Sequence, residues 1–205
     1  MKSIFGNELI TKSKPEPIFI VSGLPRCGTS MMMQMLEAGG IPVITDHIRQ
    51  ADEDNPRGYF EFEKVKKIKE DSSWLDDCHG KVFKMVSALL YYLPNNKEYK
   101  IVFMKRKMDE MLASQNTMLR RQGLGDAAVG DEEIAKKLAK HLLKVKTWLA
   151  QQSNFNVIYI NYNSVIENAP ANAKTVALFL NIPIDIAKMV QVVESSLYRQ
   201  KTGDI

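Results

Sequence analysis

Cysteine is scarce in this chain, where Cys27 and Cys78 are the two among 205 residues. No C-x-x-C spacing joins them, and the three histidines form no H-x-x-x-H pattern. A disulfide framework needs more cysteines, and a structural zinc site needs closely spaced pairs of ligands. We therefore expect neither a disulfide framework nor a bound metal.

Long apolar runs are missing as well. None reaches the roughly 18 residues that a membrane-spanning helix needs. Residues 1–16 lack the apolar stretch of a secretory signal and mix polar residues with Gly6 and Pro15, so they are expected to form an N-terminal arm. The expectation is a cytoplasmic protein with no membrane partner.

A strong net charge is the third absence. The chain carries a net charge of +4 with a pI near 8.9, which favours anionic ligands but is too weak to indicate nucleic-acid binding. Its 45% hydrophobic and 25% charged residues are ordinary for a globular protein. A chain of this length suits one domain.

What the sequence does contain is an apolar run that ends at a glycine. Residues 18–21 are β-branched or aromatic, which is typical of a buried central strand. Gly23 and Gly28 follow with the spacing of a tight loop, and Thr29 and Ser30 then open a helix. Free amides in such a loop and at a helix start bind anions, so this stretch predicts a phosphate site.

This glycine loop, residues 23–30, departs from the loop of ATP-binding proteins at one position. It fits the pattern G-x-x-x-x-G-K-[ST] except that Thr29 occupies the lysine position. That lysine neutralises the terminal phosphates of a nucleoside triphosphate, so a triphosphate would be held poorly. The cation of this loop is Arg26 instead.

The loop sequence Gly-Leu-Pro-Arg-Cys-Gly-Thr-Ser resembles the G-x-P-[RK]-S-G-[TS]-[TS] loop of the sulfotransferases, with Cys27 in place of the usual serine. In that family the loop cradles the 5′-phosphosulfate of the donor PAPS, whose product is PAP. The resemblance implies that Arg26 also stabilises the charge on the leaving nucleotide. It implies a donor site formed by Gly23, Pro25, Arg26, Cys27, Gly28, Thr29 and Ser30.

A second pattern follows the apolar strand expected at residues 99–104, which ends in three cations at 105–107. Sulfotransferases are similar here, because they place an arginine at the end of this strand and a serine eight residues later, both on the 3′-phosphate of the donor. Arg106 and Ser114 have that spacing. The alternative is a pair of ordinary helix-surface residues.

The later sequence resembles the family more loosely. Tyr162 stands where the family has the first residue of Y-E-D-L, and residues 179–183 look like its F-L-G-I-P segment. Asn163 and Ser164 depart from the acidic pair of that pattern. In the basic C-terminal stretch Arg199 is a further candidate ligand of the nucleotide, with a solvated tail as the alternative.

Transfer to an acceptor also needs a general base, which the family supplies as a glutamate or a histidine. The polar segment after the second expected strand would face the glycine loop, because open α/β sheets bind ligands at the carboxyl ends of their strands. We expect Glu61 to be the base, ahead of Asp46 and His47. Its neighbours Phe60 and Phe62 would raise its pKa by partial desolvation, and the alternative is a surface acid.

Cys27 has two possible roles. Converging amides and the adjacent Arg26 would lower the pKa of its thiol and make it reactive. The simpler interpretation, which we favour, is a small loop residue that replaces a serine.

The alternation of strand and helix patterns predicts a single three-layer α/β/α domain over residues 17–205, with a mainly parallel sheet and a P-loop nucleoside triphosphate hydrolase-like fold. Expected strands lie at 18–21, 41–45, 81–86, 99–104 and 156–160. Expected helices lie at 29–40, 64–75, 87–93, 109–121, 131–152, 170–180 and 185–195, with one more short helix after 163.

Three functions fit these observations. The first is sulfuryl transfer from PAPS to a hydroxyl or amine of an acceptor that the sequence does not name. The second is a kinase or hydrolase acting on ATP or GTP. Such enzymes require a loop lysine and an acid at a strand end, whereas the strands here end in Ser22, Arg106 and Asn161. The third is a non-catalytic nucleotide-binding module.

Overall fold

Four strands form one parallel sheet in the computed structural model, which describes residues 15–46, 48–52, 55, 58–124 and 130–193. They are β1 (Ile18–Gly23), β2 (Val82–Val86), β3 (Tyr99–Lys105) and β4 (Phe155–Asn161), in the spatial order β2-β1-β3-β4. Val21 lies opposite Lys84 on one side and Val102 on the other. The parallel sheet confirms the expected fold class.

Helices connect these strands and follow them. Within the described residues they are α1 (Thr29–Ala38), α2 (Glu63–Lys66), α3 (Met108–Arg121), α4 (Asp131–Leu149), α5 (Tyr162–Glu167), α6 (Ala169–Leu180) and α7 (Ile186–Gln191), with 3₁₀ turns at Ser73–Cys78 and Ser87–Tyr92. None of them combines the length and the apolar character that crossing a bilayer would require.

Side chains of β1 alternate between two buried clusters, one on each face of the sheet. Phe19 and Val21 pack in a cluster with α1, α6 and α7. Ile18 and Ile20 pack on the opposite face in a cluster that includes the C-terminal half of α4. Because both faces of the strand are covered, its four apolar residues run without a polar break. The result is the expected three-layer arrangement.

The strand expected at residues 41–45 is reduced to a single bridge. Val43 pairs with Val82, and the Ile44 amide donates to the Val82 carbonyl at 2.8 Å. Pro42 has no amide hydrogen to donate to β2. The pairing with β2 therefore does not extend further along this segment. The prediction of a full second strand is wrong.

The helix expected at residues 64–75 is also wrong in its extent. α2 ends at Lys66, and a 3₁₀ turn begins at Ser73. The carboxylate of Asp71 accepts a hydrogen bond from the Ser73 amide at 2.9 Å, a local turn that competes with helix continuation. The side chains of Val65 and Ile68 are both buried in the core, although no continuous helix joins them.

The last helix is shorter than the expected range of 185–195. Asp185 caps it by accepting a hydrogen bond from the Lys188 amide at 3.0 Å, and the helix ends at Gln191. Residues 194 and 195 lie outside the described residues.

Candidate functional site

The glycine loop follows β1 at the carboxyl edge of the sheet, and two of its positions require glycine. At Gly23, φ is 151°, and a Cβ would lie 2.5 Å from the Cys27 sulfur and 2.7 Å from the Met104 carbonyl oxygen. At Gly28, φ is 91°, and a Cβ would collide with the ring of Tyr162. The loop therefore packs against β3 and α5 more closely than any side chain would permit.

Arg26 occupies the left-handed region at φ 65° although it is not glycine. Such a conformation costs free energy and is characteristic of functional sites. Its backbone oxygen accepts a hydrogen bond from Nη1 of Arg106 at 3.3 Å, and its own Nε donates to Oγ of Ser114 at 3.0 Å. Two distant segments of the sequence, the glycine loop and the region from Arg106 to Ser114, thus meet at this arginine.

Arg106 is held by contacts at the start of α3. Its Nε donates to Oε2 of Glu110 at 3.2 Å, and its guanidinium carbon lies 4.6 Å from the centre of the Tyr162 ring. The Arg106 side chain is 8% exposed. A guanidinium that is this well fixed is suited to bind a phosphate in a defined orientation.

These groups line one cavity of about 430 Å³. Every residue of the glycine loop except Cys27 faces it, together with Arg106 and Ser114. The structure therefore brings together the two predicted halves of the donor site, which lie some 80 residues apart in the sequence. Arg199 lies outside the described residues.

Cys27 is turned away from this cavity. It is 2% exposed within the core cluster beneath the loop, and burial raises the pKa of its thiol to about 12. Desolvation outweighs the hydrogen bonds from the loop and the nearby charge of Arg106. The prediction of a lowered pKa is wrong, and the favoured interpretation as a small packed loop residue fits its position.

Lys84 is a cation of the cavity that sequence reasoning missed. It lies on β2 between the buried Phe83 and Met85, and its Nζ donates to the backbone oxygen of Tyr59. Burial lowers the pKa of Lys84 to about 8, with the carboxylate of Glu61 opposing the shift. The available signal was a lysine inside an otherwise apolar strand, which is rare without a partner.

Glu61 faces the same cavity but lacks the expected environment. Its side chain is 19% exposed, and its carboxylate lies 2.8 Å from Nη1 of Arg49 and 3.2 Å from Nζ of Lys66. Partial burial acts to raise the pKa of Glu61, but these partners and the charge of Lys84 lower it below its ordinary value. The prediction of a raised pKa is wrong because two flanking phenylalanines do not disclose the surrounding cations.

Of the other two candidate bases, the structure describes Asp46. Asp46 does not line the cavity, and its carboxylate accepts hydrogen bonds from the amides of Glu63 at 2.6 Å and Ile48 at 3.0 Å, so it caps α2. Slight burial acts to raise the pKa of Asp46, and these hydrogen bonds bring it below its ordinary value. His47 lies outside the described residues.

Asn55, from the polar segment that precedes α2, contacts the glycine loop. Asn55 donates from its side-chain amide to Oγ of Ser30 at 2.9 Å and to the Gly58 carbonyl at 2.6 Å. A hydroxyl that accepts this bond keeps its own hydrogen for a ligand. In the part of the chain that the structure describes, no three His, Cys, Asp or Glu side chains are grouped to hold a metal ion.

Comparisons with known proteins agree with this geometry. The family described as Sulfotransferase domain matches residues 16–203. No curated protein sequence matches the chain.

Two solved structures share the fold. The Sulfotransferase Domain from the Curacin Biosynthetic Pathway has a TM-score of 0.52 and 16% identity, over 94% of this chain and 82% of that chain. Mouse sulfotransferase SULT7A1 complexed with PAP has a TM-score of 0.55 and 16% identity, over 88% of this chain and 63% of that chain. The present chain therefore spans less than two thirds of the mouse protein. Because the family match extends over most of the sequence, the chain belongs to the sulfotransferase family.

Proposed function

We propose that the chain transfers a sulfuryl group from PAPS to a hydroxyl or amine acceptor. One observation carries this proposal: the glycine loop and the Arg106–Ser114 pair line one cavity and are joined by the 3.0 Å contact between Arg26 and Ser114. Backbone amides in the loop and the guanidinium of Arg106 make each element suited to bind an anion. PAPS has a phosphate for each element, at its 5′ and 3′ positions. ATP offers nothing to the second element.

The residues present fit PAPS better than a nucleoside triphosphate. Thr29 stands at the loop position where a triphosphate enzyme has lysine, while loop amides and the Ser30 hydroxyl suffice for one phosphate. Arg106 supplies a fixed guanidinium on the β3 side of the loop. These features support the donor assignment.

When bound, PAPS would supply the sulfuryl group and depart as PAP. The amides around Gly28, with Thr29 and Ser30, would hold the 5′-phosphate at the start of α1. Arg26 would stabilise the negative charge that grows on the leaving phosphate, which is electrostatic stabilisation of the transition state. Arg106 and Ser114 would hold the 3′-phosphate.

The sheet order supports an acceptor position on the other side of the loop. β2 and β3 flank β1 on opposite sides, so a nucleotide that reaches Arg106 leaves the β2 side of the cavity open. Lys84 and Glu61 supply polar groups there. Several apolar side chains form the remaining wall, namely Phe62, Val65, Met85 and Leu89. An acceptor with an apolar body and one nucleophilic group suits this wall.

A ligand comparison tests the donor assignment. Melting temperatures would be measured with PAP, adenosine 5′-phosphate, ATP and GTP, each with and without Mg²⁺. PAP should give the largest rise and should need no metal. A larger rise with ATP or GTP and Mg²⁺ would replace the sulfotransferase proposal with the kinase or hydrolase alternative.

An acceptor panel tests catalysis itself. Transfer from PAPS to a simple phenol, an aliphatic alcohol, an aliphatic amine and a monosaccharide would be followed by PAP release. The apolar wall leads us to expect turnover of the phenol or the alcohol over the monosaccharide. PAP binding with no turnover of any acceptor would favour the non-catalytic module.

Replacement of Glu61 with glutamine tests its role as the base. Glu61 is ionised at neutral pH because its pKa is lowered, so it is able to accept a proton from the acceptor. Glu61→Gln should reduce turnover by roughly 10²-fold or more without weakening PAP binding. Glu63→Gln is the matched control. Glu63 also forms an ion pair with Lys66, with 2.5 Å between Oε1 and Nζ, but it does not line the cavity. Unchanged turnover would move the role to Asp46 or His47.

Lys84 should make stability depend on pH. Its pKa of about 8 in the folded protein lies below the ordinary value of 10.5. Below pH 8 the lysine is protonated in both the folded and the unfolded state, so its buried charge destabilises the fold by the full amount. Between these values the unfolded state holds more protons, and stability should rise with pH.

The Lys84→Met variant isolates this effect. At pH 7 it should exceed the wild type in unfolding free energy by up to about 3 kcal/mol, and the gain should shrink by pH 10. Denaturant unfolding at both pH values measures the difference. A gain that does not change with pH would show that Lys84 keeps its ordinary pKa.

A further inference from the structure

Glu110 is a buried carboxylate next to the proposed donor site. It is 1% exposed, on the first turn of α3. A buried carboxylate is tolerated when charged or hydrogen-bonded partners surround it. Nε of Arg106 lies 3.2 Å from one of its oxygens, and Nζ of the exposed Lys107 lies 3.9 Å from the other.

Asn163 completes this environment from α5. Its Nδ2 lies 3.1 Å and 3.0 Å from the two carboxylate oxygens of Glu110, and it is 7% exposed. An ionised carboxylate only accepts hydrogen bonds, so the amide nitrogen must face it. An acid at position 163 would oppose Glu110 with a second negative charge, which is unfavourable in a buried setting. This contact accounts for the amide at position 163, one of the two departures from the acidic pair noted in the sequence.

Arg106 is consequently fixed from several directions. Glu110 accepts a hydrogen bond from Nε of Arg106, and the carbonyl of Arg26 accepts one from Nη1. The ring of Tyr162 lies next to the guanidinium. Tyr162 and Asn163 are adjacent, so one turn of α5 supplies both the ring and the amide. The position of the guanidinium depends on α3, α5 and the glycine loop together.

We propose that Glu110 and Asn163 are positioning residues that hold Arg106 in the orientation that binds the 3′-phosphate of the donor. This inference rests on the proposed function. Glu110 and Asn163 act through Arg106, because neither lines the cavity. They give the site its preference for a 3′-phosphorylated nucleotide.

Replacement of Glu110 with glutamine separates positioning from simple electrostatics. Loss of a negative charge near an anion site should by itself tighten PAP binding. Loss of positioning should weaken it, because glutamine cannot hold the guanidinium as an ion pair does. We expect Glu110→Gln to weaken PAP about tenfold or more and to leave adenosine 5′-phosphate almost unchanged, as the loss of a charge-assisted contact requires.

Asn163→Leu tests the same idea without a change of charge. It removes the amide that anchors Glu110, so PAP should again weaken while adenosine 5′-phosphate does not. Asp109→Asn is the control, because it removes the same charge from the exposed residue next to Glu110 and should preserve the preference for PAP. Dissociation constants would come from calorimetry on variants whose thermal unfolding remains cooperative.

The outcomes distinguish the two proposals. A wild type that does not prefer PAP over adenosine 5′-phosphate contradicts the proposed function. A wild type that prefers PAP, with both variants equal to it or binding PAP more tightly, overturns the positioning role. Equal weakening of both nucleotides would also overturn it, since a general structural defect would explain that result.

Discussion

Arg26→Ala should lower the rate of sulfuryl transfer by about 10²- to 10³-fold, the size expected when one preorganised charge stabiliser is lost. Arg26 lies in the loop that would hold the 5′-phosphate, and its side chain faces the cavity. Alanine keeps a Cβ at this left-handed position, so the free-energy cost of φ 65° is the same as in the wild type. A glycine substitution would remove that cost and change the loop as well as the side chain. Initial rates with PAPS and the best acceptor of the panel measure the effect.

The comparison needs a variant that removes a charge outside the cavity. Arg120→Ala serves, because Arg120 is exposed on α3 and does not line the cavity. Its rate should stay within about twofold of the wild type, as surface substitutions usually have small effects. An Arg26→Ala enzyme as fast as Arg120→Ala would contradict the role of Arg26 at the leaving group.

The parts of the site that local spacing encodes were predictable from the sequence. Gly23 and Gly28 indicate a loop in the sequence, because no other residue type fits the backbone angles and close contacts of these positions. Arg106 and Ser114 were identified because their spacing after an apolar strand resembles that of the sulfotransferase family. The two central strands, β1 and β3, were likewise visible as apolar runs, since burial on both faces leaves little place for polar residues.

Properties that depend on distant neighbours were not predictable. The pKa of Glu61 is lowered by Arg49 and Lys66, which approach only after the chain folds. Cys27 sits beside Arg26 in sequence, yet its thiol points into the core, where desolvation dominates. Neighbours in sequence therefore gave the wrong sign for both pKa shifts.

The buried polar network behind Arg106 shows the same limit. Glu110 has the i, i+4 spacing that permits an ion pair with Arg106, and that much is readable from a helix. Asn163 reaches Glu110 from 53 residues away, because parallel β3 and β4 carry the starts of α3 and α5 to the same sheet edge. The departure from the acidic pair was visible in the sequence, but the reason for the amide at position 163 appears once this contact is known.

Arg106→Ala should abolish the advantage of PAP over adenosine 5′-phosphate. For the wild type, PAP at about 100 times its dissociation constant should add roughly 2.7 kcal/mol to the unfolding free energy. Loss of the guanidinium removes charge-assisted hydrogen bonds of about 1.5–3 kcal/mol, so PAP should bind roughly 10- to 100-fold more weakly. Adenosine 5′-phosphate lacks the 3′-phosphate and should bind as before.

The design must account for Glu110, because Arg106→Ala removes the cation 3.2 Å from that buried carboxylate, while the exposed Lys107 stays at 3.9 Å; loss of the closer cation is destabilising. The double variant Arg106→Ala with Glu110→Gln removes the negative charge as well and should recover stability but not the preference for PAP. Lys105→Ala is the control, since it deletes an exposed cation at the end of β3 that does not line the cavity. If the double variant still bound PAP more tightly than adenosine 5′-phosphate by the wild-type margin, Arg106 would not be the 3′-phosphate ligand.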